Sequence, residues 1–151
     1  MFKIKNILVP TDFSDGFIHT LNYAVEIAKS LESSLHIIHV IEPIVFSSDN
    51  IMTKYGINEL PNELEIYAKK DLEKIAMTLK EKDVTFTTKV LHGKAYEEIL
   101  NYTDKNHIDM ICISTHGQGN LENLLFGSTT EKVLRKANCP VLAVRIKAKE
   151  E

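Results

Sequence analysis

Five apolar runs punctuate the chain, NILVP (6–10), LHIIHVI (35–41), VTFTTKV (84–90), MICIS (110–114) and PVLAVRI (140–146), and each has the length of a strand. Between them apolar residues recur at the helical spacing. Phe17, Leu21, Ala24, Val25, Ala28 and Leu31 mark a helix over residues 14–31 with Ser14 as its N-cap. Leu64, Tyr67, Ala68, Leu72, Ile75, Ala76 and Leu79 mark a second, which begins near Pro61, a residue favoured in a first helical turn. Two further helices are predicted over residues 95–105 and 129–137. Strands alternating with helices imply a parallel sheet with helices on both faces, an α/β fold.

The runs differ in texture. Residues 6–9 and 110–114 are apolar without alternation, as central strands covered on both sides should be. In the third run Thr85, Thr87 and Lys89 alternate with Val84, Phe86 and Val90, so that strand belongs near an edge. Residues 42–60 carry no sustained period, and the expectation is a mobile loop over 43–60. No repeat or linker divides the rest, and residues 1–151 read as one domain.

Composition narrows the function classes. The 18 basic and 21 acidic residues leave a net charge of -3 with no basic block beyond residues 147–149, which argues against a phosphate-tracking nucleic-acid surface. The amino-terminal apolar run is too short for a signal peptide and no run reaches membrane-spanning length, so the expected location is the cytoplasm. Of the two cysteines, Cys112 lies inside an apolar run and reads as a small core residue. His36 and His39 stand three apart on a strand and therefore point to opposite faces, so no metal site is assigned.

In an open parallel sheet ligands collect outside the carboxyl ends of the strands. Three segments fall there: PTDFS (10–14), HVIEP (39–43) and STHGQGNLENLLFGST (114–129). In the last, Gly117 and Gly127 let backbone amides approach an anion closely. Ser128 with Glu131 matches a capping box at the start of the final helix, leaving other amides and the hydroxyls of Thr129 and Thr130 for a phosphate. No general base or nucleophile accompanies the loop, so at most slow hydrolysis is expected, and the loop histidine His116 reads as a surface or contact residue.

The spacing G-x-x-G, nine residues, G-[ST] is the nucleotide motif of the universal stress proteins, and this chain resembles that family over nearly its whole length. Ser114 stands at the motif's first glycine position, while Gly117, Gly127 and Ser128 match. ILVPTDFS and CPVLAVR are similar to the family's first and last strands. The resemblance implies a flavodoxin- or Rossmann-like doubly wound sheet of five parallel strands in the order 3-2-1-4-5. It implies that Pro10, Thr11 and Asp12 line the adenosine half of a site, with backbone at Val40 on the adenine edge. Gly117, Gln118, Gly119, Gly127, Ser128 and Thr129 line the phosphate half, with Ser114 beside them. ATP with a magnesium ion is the implied ligand, and a homodimer joined through the last strand the implied assembly. The expected function is that of a stress-response module that signals to a client protein. A family member that works without nucleotide, as a protein-interaction module, is the alternative.

Overall fold

The run Ile7, Leu8, Val9 has no polar side to turn toward water, and all three residues are completely buried. They form the centre of a five-stranded sheet in a computed structural model that describes residues 1–43, 60–116 and 126–146. In chain order the elements are β1 (Asn6–Pro10), α1 (Asp15–Leu31), β2 (Ser34–Ile41), α2 (Leu60–Glu81), β3 (Phe86–His92), α3 (Ala95–Lys105), β4 (Met110–Ser114), α4 (Ser128–Lys136) and β5 (Val141–Val144). The strands lie in the order β3-β2-β1-β4-β5 and every pairing is parallel. This is the expected doubly wound arrangement. The expected loop over 43–60 falls, from residue 44 to residue 59, outside the described residues.

Side chains alternate across each strand, so the sheet feeds two cores. One, beneath α1 and α2, joins Ile7, Val9 and Ile37 to Phe17, Leu21 and Leu72. The other, beneath α3 and α4, joins Leu8, Ile38 and Ile111 to Ile99, Tyr102 and Val133. Burying a side chain the size of Phe17 contributes about 1.5–3 kcal/mol relative to leaving it exposed.

Helix ends follow local chemistry at one end and tertiary context at another. The Ser14 hydroxyl accepts from the Phe17 amide at 3.3 Å, so the expected cap of α1 is formed. The helix stops at Glu32, which takes a left-handed conformation at φ 55°. The capping box expected at Ser128 is not formed. Gly127 is the N-cap of α4 and makes no side-chain cap bond, Ser128 is the first helical residue, and Glu131 instead pairs with Arg135 at 2.8 Å. On α2 the buried stripe is Ala68, Leu72, Ile75 and Leu79, whereas Tyr67, expected among them, is 63% exposed. Tyr67 sits a full 100° around the helix from Ala68, off the stripe's edge. β3 begins and ends two residues later than its alternation predicts, and lies at the sheet edge as expected.

Candidate functional site

Because β1 and β4 are adjacent while their helices lie on opposite faces, the sheet opens between them at its carboxyl end. A cleft of about 290 Å³ occupies that position. Eight of the eleven expected site residues line it: Pro10, Thr11, Asp12, Val40, Ser114, Gly127, Ser128 and Thr129. Gly117, Gln118 and Gly119 lie outside the described residues.

The wall after β1 is a tight turn held by its own side chains. The Thr11 hydroxyl accepts from the Phe13 amide at 2.9 Å and Asp12 Oδ1 accepts from the Ser14 amide at 3.0 Å. Phe13 is thereby held at φ 61°, a conformation that costs a non-glycine residue roughly 1 kcal/mol or more. From β2, His39 donates through Nδ1 to the Thr11 carbonyl at 2.8 Å and packs its ring 4.4 Å from that of Phe13. His36, three residues earlier, faces the opposite core and meets Tyr102. The two histidines diverge as their strand spacing requires.

The opposite wall joins β4 to α4. The Ser114 hydroxyl donates to the His116 carbonyl at 3.1 Å, and the Thr130 hydroxyl donates to the Ser114 carbonyl at 2.7 Å. Thr130 therefore fastens the helix to the strand and does not offer its hydroxyl to a ligand, contrary to the sequence expectation. The Gly127 amide is likewise committed, donating to the Thr115 carbonyl at 2.7 Å. Gly127 has φ -64°, so a positive φ is not what this position demands. With glycine at the N-cap, the donors left at the head of α4 are the amides of Ser128, Thr129 and Thr130 and the hydroxyls of Ser128 and Thr129. A helix amino end with spare donors attracts an anion.

Thr130 also lines the cleft, and Ile38, His39, Ala95, Ile99 and Ile113, which were not among the expected site residues, complete the lining. Ile38, Ile99 and Ile113 form an apolar floor. Ala95 and Ile99 come from α3, whose amino end is brought to the cleft when the Glu42 carboxylate accepts from the Ala95 amide at 2.9 Å. Nothing in the local sequence around Ala95 marks that contact, since its partner is far along the chain. Cys112 sits inside the sheet, where burial pushes its thiol up to about 12, so it has no nucleophilic role. Among the described residues no three His, Cys, Asp or Glu side chains gather as metal ligands. An apolar slot with acceptors on one side and helix-end donors on the other suits a flat ring joined to an anionic group.

Comparison with known proteins agrees with this fold. The universal stress protein MJ0531 of Methanocaldococcus jannaschii is 33% identical over 147 residues, covering 97% of this chain and 85% of that protein. Another protein of that organism, MJ0577, has a solved structure that superimposes with a TM-score of 0.85 at 31% identity, covering 98% of this chain and all of that one. A universal stress protein from Archaeoglobus fulgidus, solved in complex with dAMP, shares the fold at a TM-score of 0.67 and 20% identity over 95% of this chain and 98% of its own. The profile of the universal stress protein family matches residues 3–145, and the chain belongs to that family.

Proposed function

We propose that the chain binds an adenine nucleotide, ATP, in the cleft and acts as a cytoplasmic regulatory module of a stress response, signalling to a client protein. The observation that carries this reading is the convergence of eight expected site residues on one apolar-floored slot that ends at the uncapped amino terminus of α4. Asp12 and the backbone at Val40 supply acceptors for the adenosine half, and the Ser128 and Thr129 donors face the phosphates. The dAMP complex of the Archaeoglobus relative supports an adenine ligand in this fold. A magnesium ion is part of the reading, and among the described residues Asp12 is the carboxylate that lines the cleft. The phosphates themselves would therefore supply most of its ligands.

A second reading, a nucleotide-independent interaction module, draws on two hydrogen bonds. The Ser114 hydroxyl and the Gly127 amide are both satisfied within the protein, which removes two donors from the phosphate half. The test is mass spectrometry of small molecules released from protein purified without added nucleotide, followed by calorimetry with ATP on the stripped protein. The expected result is a bound adenine nucleotide, and a loss of at least about 2 kcal/mol of ATP binding in a Gly127→Val variant. Unchanged affinity in a folded Gly127→Val protein would overturn the assignment of the phosphate half to the head of α4, whereas no binding to the wild type decides for the second reading.

A further inference from the structure

Beside the cleft, on the layer formed by α3 and α4, three ammonium groups crowd one aromatic ring. Tyr96, in the first turn of α3, packs against the apolar cluster beneath the two helices. Lys132 Nζ lies 4.7 Å from its ring centroid, Lys136 Nζ 5.1 Å and Lys94 Nζ 6.0 Å. Lys132 and Lys136 are one turn apart on α4, so both reach the same side of that helix, and Lys94 immediately precedes α3.

Cation–π attraction explains one or two ammonium groups at a ring with two faces, but a third adds repulsion. Glu97, whose carboxylate accepts a hydrogen bond from the Tyr96 hydroxyl at 3.0 Å, brings one negative charge to the ring, and Glu131 is engaged by Arg135 at 2.8 Å, so the three ammonium groups leave a net positive charge there. Among the described residues none of the three lysines forms an ion pair. This concentration of positive charge stands on a chain whose net charge is -3.

We propose that the Tyr96 shelf is an anion site that takes a phosphate group of a polyphosphate. Lysine ammonium groups are compact charges with three donors each, and several of them converging on one point suit a multiply charged oxyanion such as phosphate. The ring beneath them shields one side from water, which strengthens each contact. The shelf adjoins the cleft, because Ala95 and Thr129 line the cleft while Tyr96 follows the one and Lys132 lies one turn beyond the other. The phosphate therefore has two possible sources: a free polyphosphate, or the tail of a nucleotide seated in the cleft.

Calorimetry on the full chain, with inorganic tripolyphosphate and with ATP as probes, tests this and separates the sources. The variants are the pair Lys132→Gln/Lys136→Gln and the charge-preserving pair Lys132→Arg/Lys136→Arg. All substituted positions are exposed, and thermal melts confirm that the fold persists. The expectation is that tripolyphosphate binds at low salt, weakens as salt rises, loses about tenfold or more in the glutamine pair, and keeps its affinity in the arginine pair. Loss of tripolyphosphate affinity alone identifies a free anion as the ligand, and loss of ATP affinity, with or without it, identifies the nucleotide tail. If neither probe loses affinity in the glutamine pair, the proposal is overturned. That failure is distinct from failure of the cleft assignment, which is read from ATP binding to Gly127→Val.

Discussion

Ser114 shows how one hydroxyl can be turned inward by its own loop. Its bond to the His116 carbonyl contributes about 1 kcal/mol of the kind typical for a neutral pair, and a glycine at the same place adds backbone freedom to the unfolded chain. Ser114→Gly is therefore expected to lower stability by about 1–2 kcal/mol in urea unfolding while calorimetry shows ATP affinity equal or tighter. A large loss of affinity would instead make the hydroxyl a ligand contact. Thr130 is the stronger brace, being buried and donating at 2.7 Å to the Ser114 carbonyl. Thr130→Val removes the donor at nearly constant shape, so it should cost about 1–3 kcal/mol, and Thr130→Ser should restore most of it. These two hydroxyls also show where sequence reading stops. Ser14 was legible as a helix-start residue because its partner is three positions away. The partner of Thr130 is sixteen positions back, across a segment whose path no local rule dictates. Gly127 was legible as a special position, but for its place at the cleft and not for the conformation glycine usually signals.

At the scale of elements, β2 and α3 are pinned by a polar chain within an otherwise apolar layer. Asn6 Nδ2 donates to the His107 carbonyl, which leaves Asn6 Oδ1 to accept from His36 Nε2 at 3.2 Å. His36 Nδ1 then accepts from the Tyr102 hydroxyl at 2.8 Å, with Thr87 at 3.5 Å on the same nitrogen. The ring is thereby held as the neutral Nε2–H tautomer, and burial holds its pKa below the usual 6.5. In the unfolded chain the same imidazole protonates at its ordinary pKa, so below pH 6.5 the unfolded state binds more protons. This contribution to stability is complete above pH 6.5 and is lost as the pH falls toward the folded-state pKa. Urea midpoints measured from pH 7.5 to pH 5 should decline, and His36→Gln should flatten the decline relative to wild type. Equal slopes in the two proteins would mean that other groups carry the acid sensitivity. The apolar periods made α1 and most of α2 legible, since a helix shows its buried stripe every three or four residues. The head of α4 was misread because a capping box competes with the tertiary bond that draws Gly127 to Thr115, and the tertiary bond prevails.

For the whole molecule, parallel topology follows from the alternation of apolar runs, but the order of strands does not, because a strand carries no local mark of which neighbour it takes. The unbroken apolar texture of β1 and the polar alternation of β3 located centre and edge. At the other edge, β5 pairs with β4 along one side only, so its second row of backbone donors and acceptors meets no strand among the described residues. An apolar edge of that kind favours pairing with another chain. On this strand Val144 is 7% exposed and belongs to the core, whereas Leu142 is 36% exposed and faces outward. A two-fold partner that lays its own β5 beside this one would cover Leu142 and satisfy both backbones symmetrically. The proposed homodimer is tested most directly at Leu142, because a charge at Val144 would disturb the core and lose the fold along with any interface. Leu142→Lys is expected to keep the thermal melt within a few degrees and to convert a dimer, seen by sedimentation at micromolar concentration, into a monomer. A wild-type chain that sediments as a monomer under those conditions would show that the edge of β5 is left to water, and the dimer would be wrong.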